Sequence, residues 1–166
     1  MRRLIWPVLF LFLLLLQGSL SVFYTGWLAV DLPLLAVYSY ALLRGENFGA
    51  FTGVCVGLLQ DAMTVGFFGF HILSRGAVGY LVGLTKEKIF KEGTSYHMIL
   101  IGLCSLLIRF CYLWLELIRA DWHWDILPAF LWDTVGYCLG NMLLVVPMYH
   151  VVKKIYEWIK KEDISY

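Results

Sequence analysis

The 166-residue chain is 61% hydrophobic, only 15% charged, and carries a formal net charge of +1. A soluble domain of this length would need more polar surface; the net charge says nothing useful about nucleic acid, the placement of the charges says much more, and no nucleic-acid partner is expected. The apolar residues come in long runs and the mean hydropathy is +0.76; at about 20 residues per crossing there is room for about six spans and little else.

The first predicted span runs from Leu4 to about Val22, behind Arg2 and Arg3. Its basic start, Leu-rich centre and small residues Ser19 and Ser21 resemble a secretory leader. The membrane domain that follows makes an uncleaved first span the better reading. Span two covers about Trp27–Leu43, with Asp31 and Pro33 near its start. Span three covers Phe48–Met63, span four Gly66–Leu84, span five His97–Ile118 and span six Ile126–Val152. Together they predict an all-α membrane protein, a six-helix bundle forming one domain over residues 1–166.

Charge placement orients the bundle. Arg2, Arg3, Arg44, Lys86, Lys88, Lys91, Lys153, Lys154, Lys160 and Lys161 all fall on one side, ten of the 13 basic residues. The other side has Arg119, beside Asp121 and Asp125. The positive-inside rule then places both termini in the cytoplasm. The outer connections at "FYTG" and "TVGF" are little more than turns. The longest, "RADWHWD", alternates Asp121, His123 and Asp125, but three ligands without a fourth make a poor metal site, and Trp122 and Trp124 suit an interfacial belt. No metal or other cofactor is expected. Cys55, Cys104, Cys111 and Cys138 lie inside apolar runs with no C-x-x-C pair and read as small packing residues, Cys104 and Cys111 sharing a helix face.

Glycines follow a helical period. Gly45, Gly49, Gly53 and Gly57 recur every four residues, and Asp61 takes the next step. Residues four apart form one ridge, and glycine there lets another helix approach closely. Gly69, Gly76 and Gly83 are seven apart, with Gly79 on the same broad face, so spans three and four are expected to pair as a tight hairpin. Asp61 then either caps the turn or holds an outer polar groove.

Six ionisable residues fall inside or at the edges of spans: Asp31, Asp61, Arg75, Arg109, Glu116 and Asp133. A charge at a helix centre costs about 2.5 to 3.5 kcal/mol, so such residues pair, snorkel or face a cavity. Asp31, Asp61 and Glu116 sit near outer ends. Arg75, Arg109 and Asp133 sit about 10 to 14 Å deeper at the helical rise. The expectation is that Asp133 neutralises Arg109 or Arg75.

The pattern G-x-x-x-G-x-x-x-D followed eight residues later by Gly, here Gly53, Gly57, Asp61 and Gly69, resembles the rod shape-determining MreD family. The "VDLPLLAVYSYALL" span before it, "HILSRGAVGYLVGL" after it and the basic "KEKIFKE" loop widen the likeness; the specific motif covers about Asp31 to Leu84, and the remainder agrees in hydropathy and size. Many relatives have proline just before the polar residue that opens span two; here the order is Val30, Asp31, Leu32, Pro33. The resemblance implies a bundle similar to the substrate-binding subunits of energy-coupling-factor transporters. It also implies a non-enzymatic inner-membrane component that binds MreC and works with MreB, RodA and an elongation-specific penicillin-binding protein in side-wall peptidoglycan synthesis. The glycine face (Gly49, Gly53, Gly57) or an outer groove would dock the MreC helix, and lipid would surround the rest. The alternative is a small-solute, vitamin-binding transporter subunit. An intramembrane enzyme is disfavoured: His71, His97 and His150 are dispersed, the last two near the cytoplasmic boundary as interfacial anchors, and neither G-x-S-x-G nor H-E-x-x-H is present.

Overall fold

The run of residues Leu32 to Leu43 is apolar on nearly every side, and a helix of that kind belongs in an interior. In the computed structural model, which describes residues 4–23, 27–64, 66–86, 93–119 and 127–163, all twelve of these residues are buried. The helices are α1 (Ile5–Phe23), α2 (Leu32–Arg44), α3 (Glu46–Met63), α4 (Phe70–Leu84), α5 (Thr94–Arg119) and α6 (Leu127–Asp163), with no strand among the described residues. The central helix α2 packs on one side against α1 and α3, through Phe10, Leu14, Val37, Tyr40 and Val56. On the other it packs against α4, α5 and α6, through Leu35, Tyr38, Val82, Ile101 and Val145.

The surface is apolar as well. Leu11, Phe12, Phe51, Leu73, Leu103, Phe110 and Trp114 are all exposed. Two helices, Thr94–Ile118 and Leu127–Lys160, are long and apolar enough to cross a bilayer, and only 22% and 28% of their most apolar windows is buried. The core helix of a soluble protein would hide most of that surface.

The expected hairpin of the third and fourth segments has a definite register. A Cβ placed on Gly57 would strike the carbonyl of His71, one on Gly53 the carbonyl of Arg75, and one on Gly49 the carbonyl of Gly79. From the other side, Gly79 faces Gly49, and Gly83 faces the Gly45–Glu46 backbone. Each step of four on α3 thus meets a step of four on α4, running antiparallel, with backbone against backbone. The ridge is covered along its length, so it is not offered to a partner helix. This corrects one of the two expected docking surfaces. Gly69 has a different job from its heptad neighbours: nothing lies within 4 Å of a Cβ there, but its φ of +97° is one that L side chains rarely adopt.

The largest departure concerns the second segment. Its helix begins at Leu32 rather than Trp27, because Asp31 caps it and Pro33 occupies its first turn, where a missing N–H is harmless. Trp27–Asp31 runs as non-helical chain along α6. Gly136 and Gly140 make room for it, since a Cβ at either would strike the carbonyl of Trp27 or Ala29. Smaller differences are the start of α5 at Thr94, the start of α4 at Phe70, and the continuation of α6 beyond Val152 to Asp163. Its last turns are polar, with Lys153 and Glu157 4.0 Å apart at i,i+4. All four cysteines are free; Cys55 and Cys111 face outward, so only Cys104 and Cys138 pack inside as expected.

Gly53→Ala is expected to destabilise the protein by about 1–3 kcal/mol, because neither backbone can yield without opening the hairpin. Gly18→Ala is expected to be neutral or stabilising, since nothing lies within 4 Å of a Cβ at that position. Reversible unfolding in mixed micelles measures both, and equal effects would contradict the register described.

Candidate functional site

A non-helical segment inside a bundle leaves backbone polar groups that must be satisfied by other means. Two side chains, Gln17 and Asn141, do this for Trp27–Leu32, and a third contact, from Trp27, ties the segment to α6. The Gln17 amide donates to the carbonyl of Val30 (2.9 Å) and accepts from the N–H of Leu32 (3.0 Å). The N–H of Asp31 donates to Oδ1 of Asn141 (2.9 Å), whose own Nδ2 donates to Ser105 (3.0 Å). Trp27 donates its indole N–H to the carbonyl of Trp132 (2.9 Å) and stacks on that ring. Asn141 and Ser105 are 0% exposed. Neither was singled out from the sequence, and nor were Gln17, Gln60 and Tyr137: lone amides and hydroxyls in apolar runs are the signal that would have found them.

The segment delivers Asp31 to the interior. Its Oδ1 caps α2 by accepting from the N–H of Leu34 (2.9 Å). Its Oδ2 accepts from Nη2 of Arg75 (2.6 Å) and from the hydroxyl of Tyr137 (2.8 Å). Arg75 is 1% exposed and donates Nε to Gln60 (3.0 Å). The expected partner, Asp133, is not the one used: no ion pair joins it to Arg75 or Arg109 among the described residues. Asp133 is exposed on α6, while its neighbour Thr134 turns inward and accepts from Nε of Arg109 (3.1 Å). Adjacent helical positions point about 100° apart, so only one of the two can reach the interior. The Arg109 guanidinium lies over the rings of Phe130 (4.4 Å) and Tyr137 (5.8 Å), a cation–π arrangement.

Asp61 stands at the end of the glycine ridge and therefore faces α4. Its carboxylate accepts from the N–H groups of Gly69 (2.9 Å), His71 (3.1 Å) and Ile72 (3.1 Å), and from Nδ1 of His71 (2.8 Å). An ionised carboxylate only accepts, which places the ring proton of His71 on Nδ1. Three amides at the start of a helix converging on one buried carboxylate make a strong N-terminal clamp, aided by the helix dipole. The sequence pattern Gly53, Gly57, Asp61, Gly69 thereby acquires a mechanical meaning. The glycines set the distance, Asp61 fixes the start of α4, and Gly69 supplies the reversal.

His97 is buried rather than interfacial; its Nδ1 lies 3.2 Å from the Tyr38 hydroxyl and its ring packs on Tyr149. Among the described residues no group of His, Cys, Asp and Glu could hold a metal. Asp121, His123 and Asp125 lie outside the described residues.

Two hollows flank the network. One, of about 160 Å³, is lined by Asp31, His71, Arg75, Arg109, Tyr112 and Tyr137 together with Phe70 and Ile108. The other is an apolar groove of about 570 Å³ between α4 and α5, which also reaches Phe70 and Ile108.

An all-helical architecture among the described residues, an apolar exterior, two helices of spanning length and a polar network between them are the features of a helical membrane protein. A family model described as rod shape-determining protein MreD matches residues 1–159, nearly the whole chain. The chain belongs to the MreD family, and its role is in rod-shape determination. No curated protein and no solved structure matches it.

Asp31→Asn is expected to cost about 3–5 kcal/mol, because it leaves a buried guanidinium without its counter-charge. Asp133→Asn is expected to stay within about 0.5 kcal/mol. The reverse order in an unfolding assay would restore Asp133 as the partner. Asp61→Ala is expected to abolish hydrogen-exchange protection at the amides of Gly69, His71 and Ile72 while leaving α5 protected.

Proposed function

We propose that the chain is a non-enzymatic membrane component of the bacterial elongation machinery. It spans the inner membrane six times with both termini in the cytoplasm, binds MreC, and through it works with MreB, RodA and an elongation-specific penicillin-binding protein. The match to the MreD family over residues 1–159 carries this reading.

The placement of basic residues supports the orientation. Arg44 ends α2, and a Cβ at Gly45 would lie 3.8 Å from the Lys86 side chain, so these two basic positions share one end of the bundle. The hairpin at Asp61 and Gly69 marks the opposite, outer end. The second crossing is completed by its non-helical part. The helix α2 has 13 residues, about 20 Å, short of a hydrocarbon core of about 30 Å, and the non-helical Trp27–Asp31 lengthens the segment.

With the glycine ridge covered, an outer groove is the docking surface that remains for the MreC helix. A bundle similar to the energy-coupling-factor subunits belongs to the same reading. The vitamin-transport alternative is less well served by the site. Pockets for small organic ligands run to about 300–1,000 Å³ with polar groups converging in them. The polar hollow here is about 160 Å³, and the larger groove is almost wholly apolar.

Depletion in the native host is expected to turn rods into round cells, and MreC is expected to co-purify with the tagged chain. Rods that persist after depletion would overturn the reading. Round cells with no MreC recovered would remove the docking role alone. Loss of vitamin uptake with normal shape would favour the alternative.

A further inference from the structure

We propose that the small polar hollow binds the phosphate of an anionic lipid, and that a hydrocarbon chain of the same lipid lies in the groove between α4 and α5. The inference stands on the geometry and does not need the rod-shape reading.

Charge is the first observation. Arg75 and Arg109 both line the hollow, and Asp31 is the one carboxylate that does. Both Asp31 oxygens are covered, one by the N–H of Leu34 and the other by Arg75 and Tyr137. Two guanidiniums against one carboxylate leave the lining itself with a surplus positive charge; the next carboxylate, Asp61, stands behind the His71 ring, with its oxygens taken up by that ring and three amides. Arg109 holds the surplus: it is only half-buried, and no carboxylate ion-pairs with it among the described residues. A cation inside a bundle of this kind calls for a counter-ion.

The second observation is independent. Nη1 of Arg75 has no hydrogen-bond partner, although its side chain is only 1% exposed. Every other buried side-chain nitrogen or oxygen among the described residues is satisfied. The Arg75 side chain lines the hollow together with Arg109, and Nη1 itself is closed to solvent, so a small shift of the side chain brings its two protons to an acceptor in the hollow. Guanidinium N–H groups match the oxygens of phosphate, and two of them surround a tetrahedral anion better than one can.

Size and surroundings select the rest of the ligand. A hollow of about 160 Å³ is below the roughly 300–1,000 Å³ of sites for whole organic ligands and suits a small group such as a phosphate. The adjoining groove, of about 570 Å³, is lined by Leu73, Leu81, Leu107, Phe110 and Trp114, with Ser74 its one hydroxyl-bearing residue. Phe70 and Ile108 line both spaces, so the two are neighbours. A free anion would fill the hollow and leave the groove to bulk lipid. An anionic amphiphile fits both.

The test uses the full chain in lipid-free detergent micelles, with binding read by native mass spectrometry. Dioleoyl phosphatidic acid, dioleoylglycerol and inorganic phosphate are the probes. Phosphatidic acid is expected to bind roughly tenfold or more tightly than either of the others. Arg109→Gln is expected to lower that affinity roughly tenfold, since it removes the surplus charge without orphaning Asp31. Leu107→Trp, which fills the groove away from the hollow, is expected to weaken phosphatidic acid and leave Arg109 chemistry untouched. Equal binding of phosphatidic acid and dioleoylglycerol, or no effect of Arg109→Gln, would overturn the headgroup site. Inorganic phosphate binding as tightly as phosphatidic acid would make it a free-phosphate site and overturn the lipid. Unchanged binding in Leu107→Trp would remove the chain from the groove. None of these outcomes bears on cell shape or on MreC recovery.

Discussion

The contact between Asp31 and Arg75, at 2.6 Å, is the constraint on which the remainder of the interior turns. One carboxylate caps α2, neutralises a guanidinium on α4 and accepts from Tyr137 on α6. Three helices are thereby held in one register by a single side chain. A charge pair removed from water is costly unless its geometry and its remaining hydrogen bonds are good. Here Gln60 and Tyr137 supply those bonds, and the one atom left over among the described residues, Nη1 of Arg75, is buried without a partner.

Bringing the pair together requires two close approaches, both made by glycine. Gly53 lets α3 lie against the backbone of Arg75. Gly136 and Gly140 let the Trp27–Asp31 segment lie against α6. In an apolar solvent there is no hydrophobic gain from helix association, so close van der Waals contact and satisfied polar groups have to hold the bundle. The glycines cost helix propensity, and dense backbone packing offsets it. The Gln17 and Asn141 amides complete the arrangement by taking up the backbone groups that the unwound chain leaves open.

The contrast between α4's two neighbours explains where the open surface lies. Toward α3 the glycine ridge draws the two backbones together along their whole length. Toward α5 the facing residues are Leu, Phe and Trp, which hold the helices apart and leave an apolar groove. The polar hollow sits beside that groove and reaches the hairpin turn through His71. The result is a molecule sealed on one side of α4 and open on the other.

Much of this was legible in the chain. Six helical segments, the tight pairing of the third and fourth, and the role of Gly49, Gly53 and Gly57 in close approach all follow from hydropathy and a period of four, because both are local and repeat along one helix. Asp61 could be placed at the turn because it continues that ridge. The partner of Arg75 could not. Depth along a straight helix favoured Asp133, but the chain before α2 is not helical, and it carries Asp31 inward to a depth that counting residues from a span end does not give. Which of Asp133 and Thr134 faces inward depends on the rotation of α6, and that is set by its glycines meeting the Trp27–Asp31 segment. Local pattern therefore determined the helices and the hairpin. Which charges meet, which ridge is covered and where the bundle stays open were decided by long-range packing, because each depends on contacts between residues as far apart as Asp31 and Asn141.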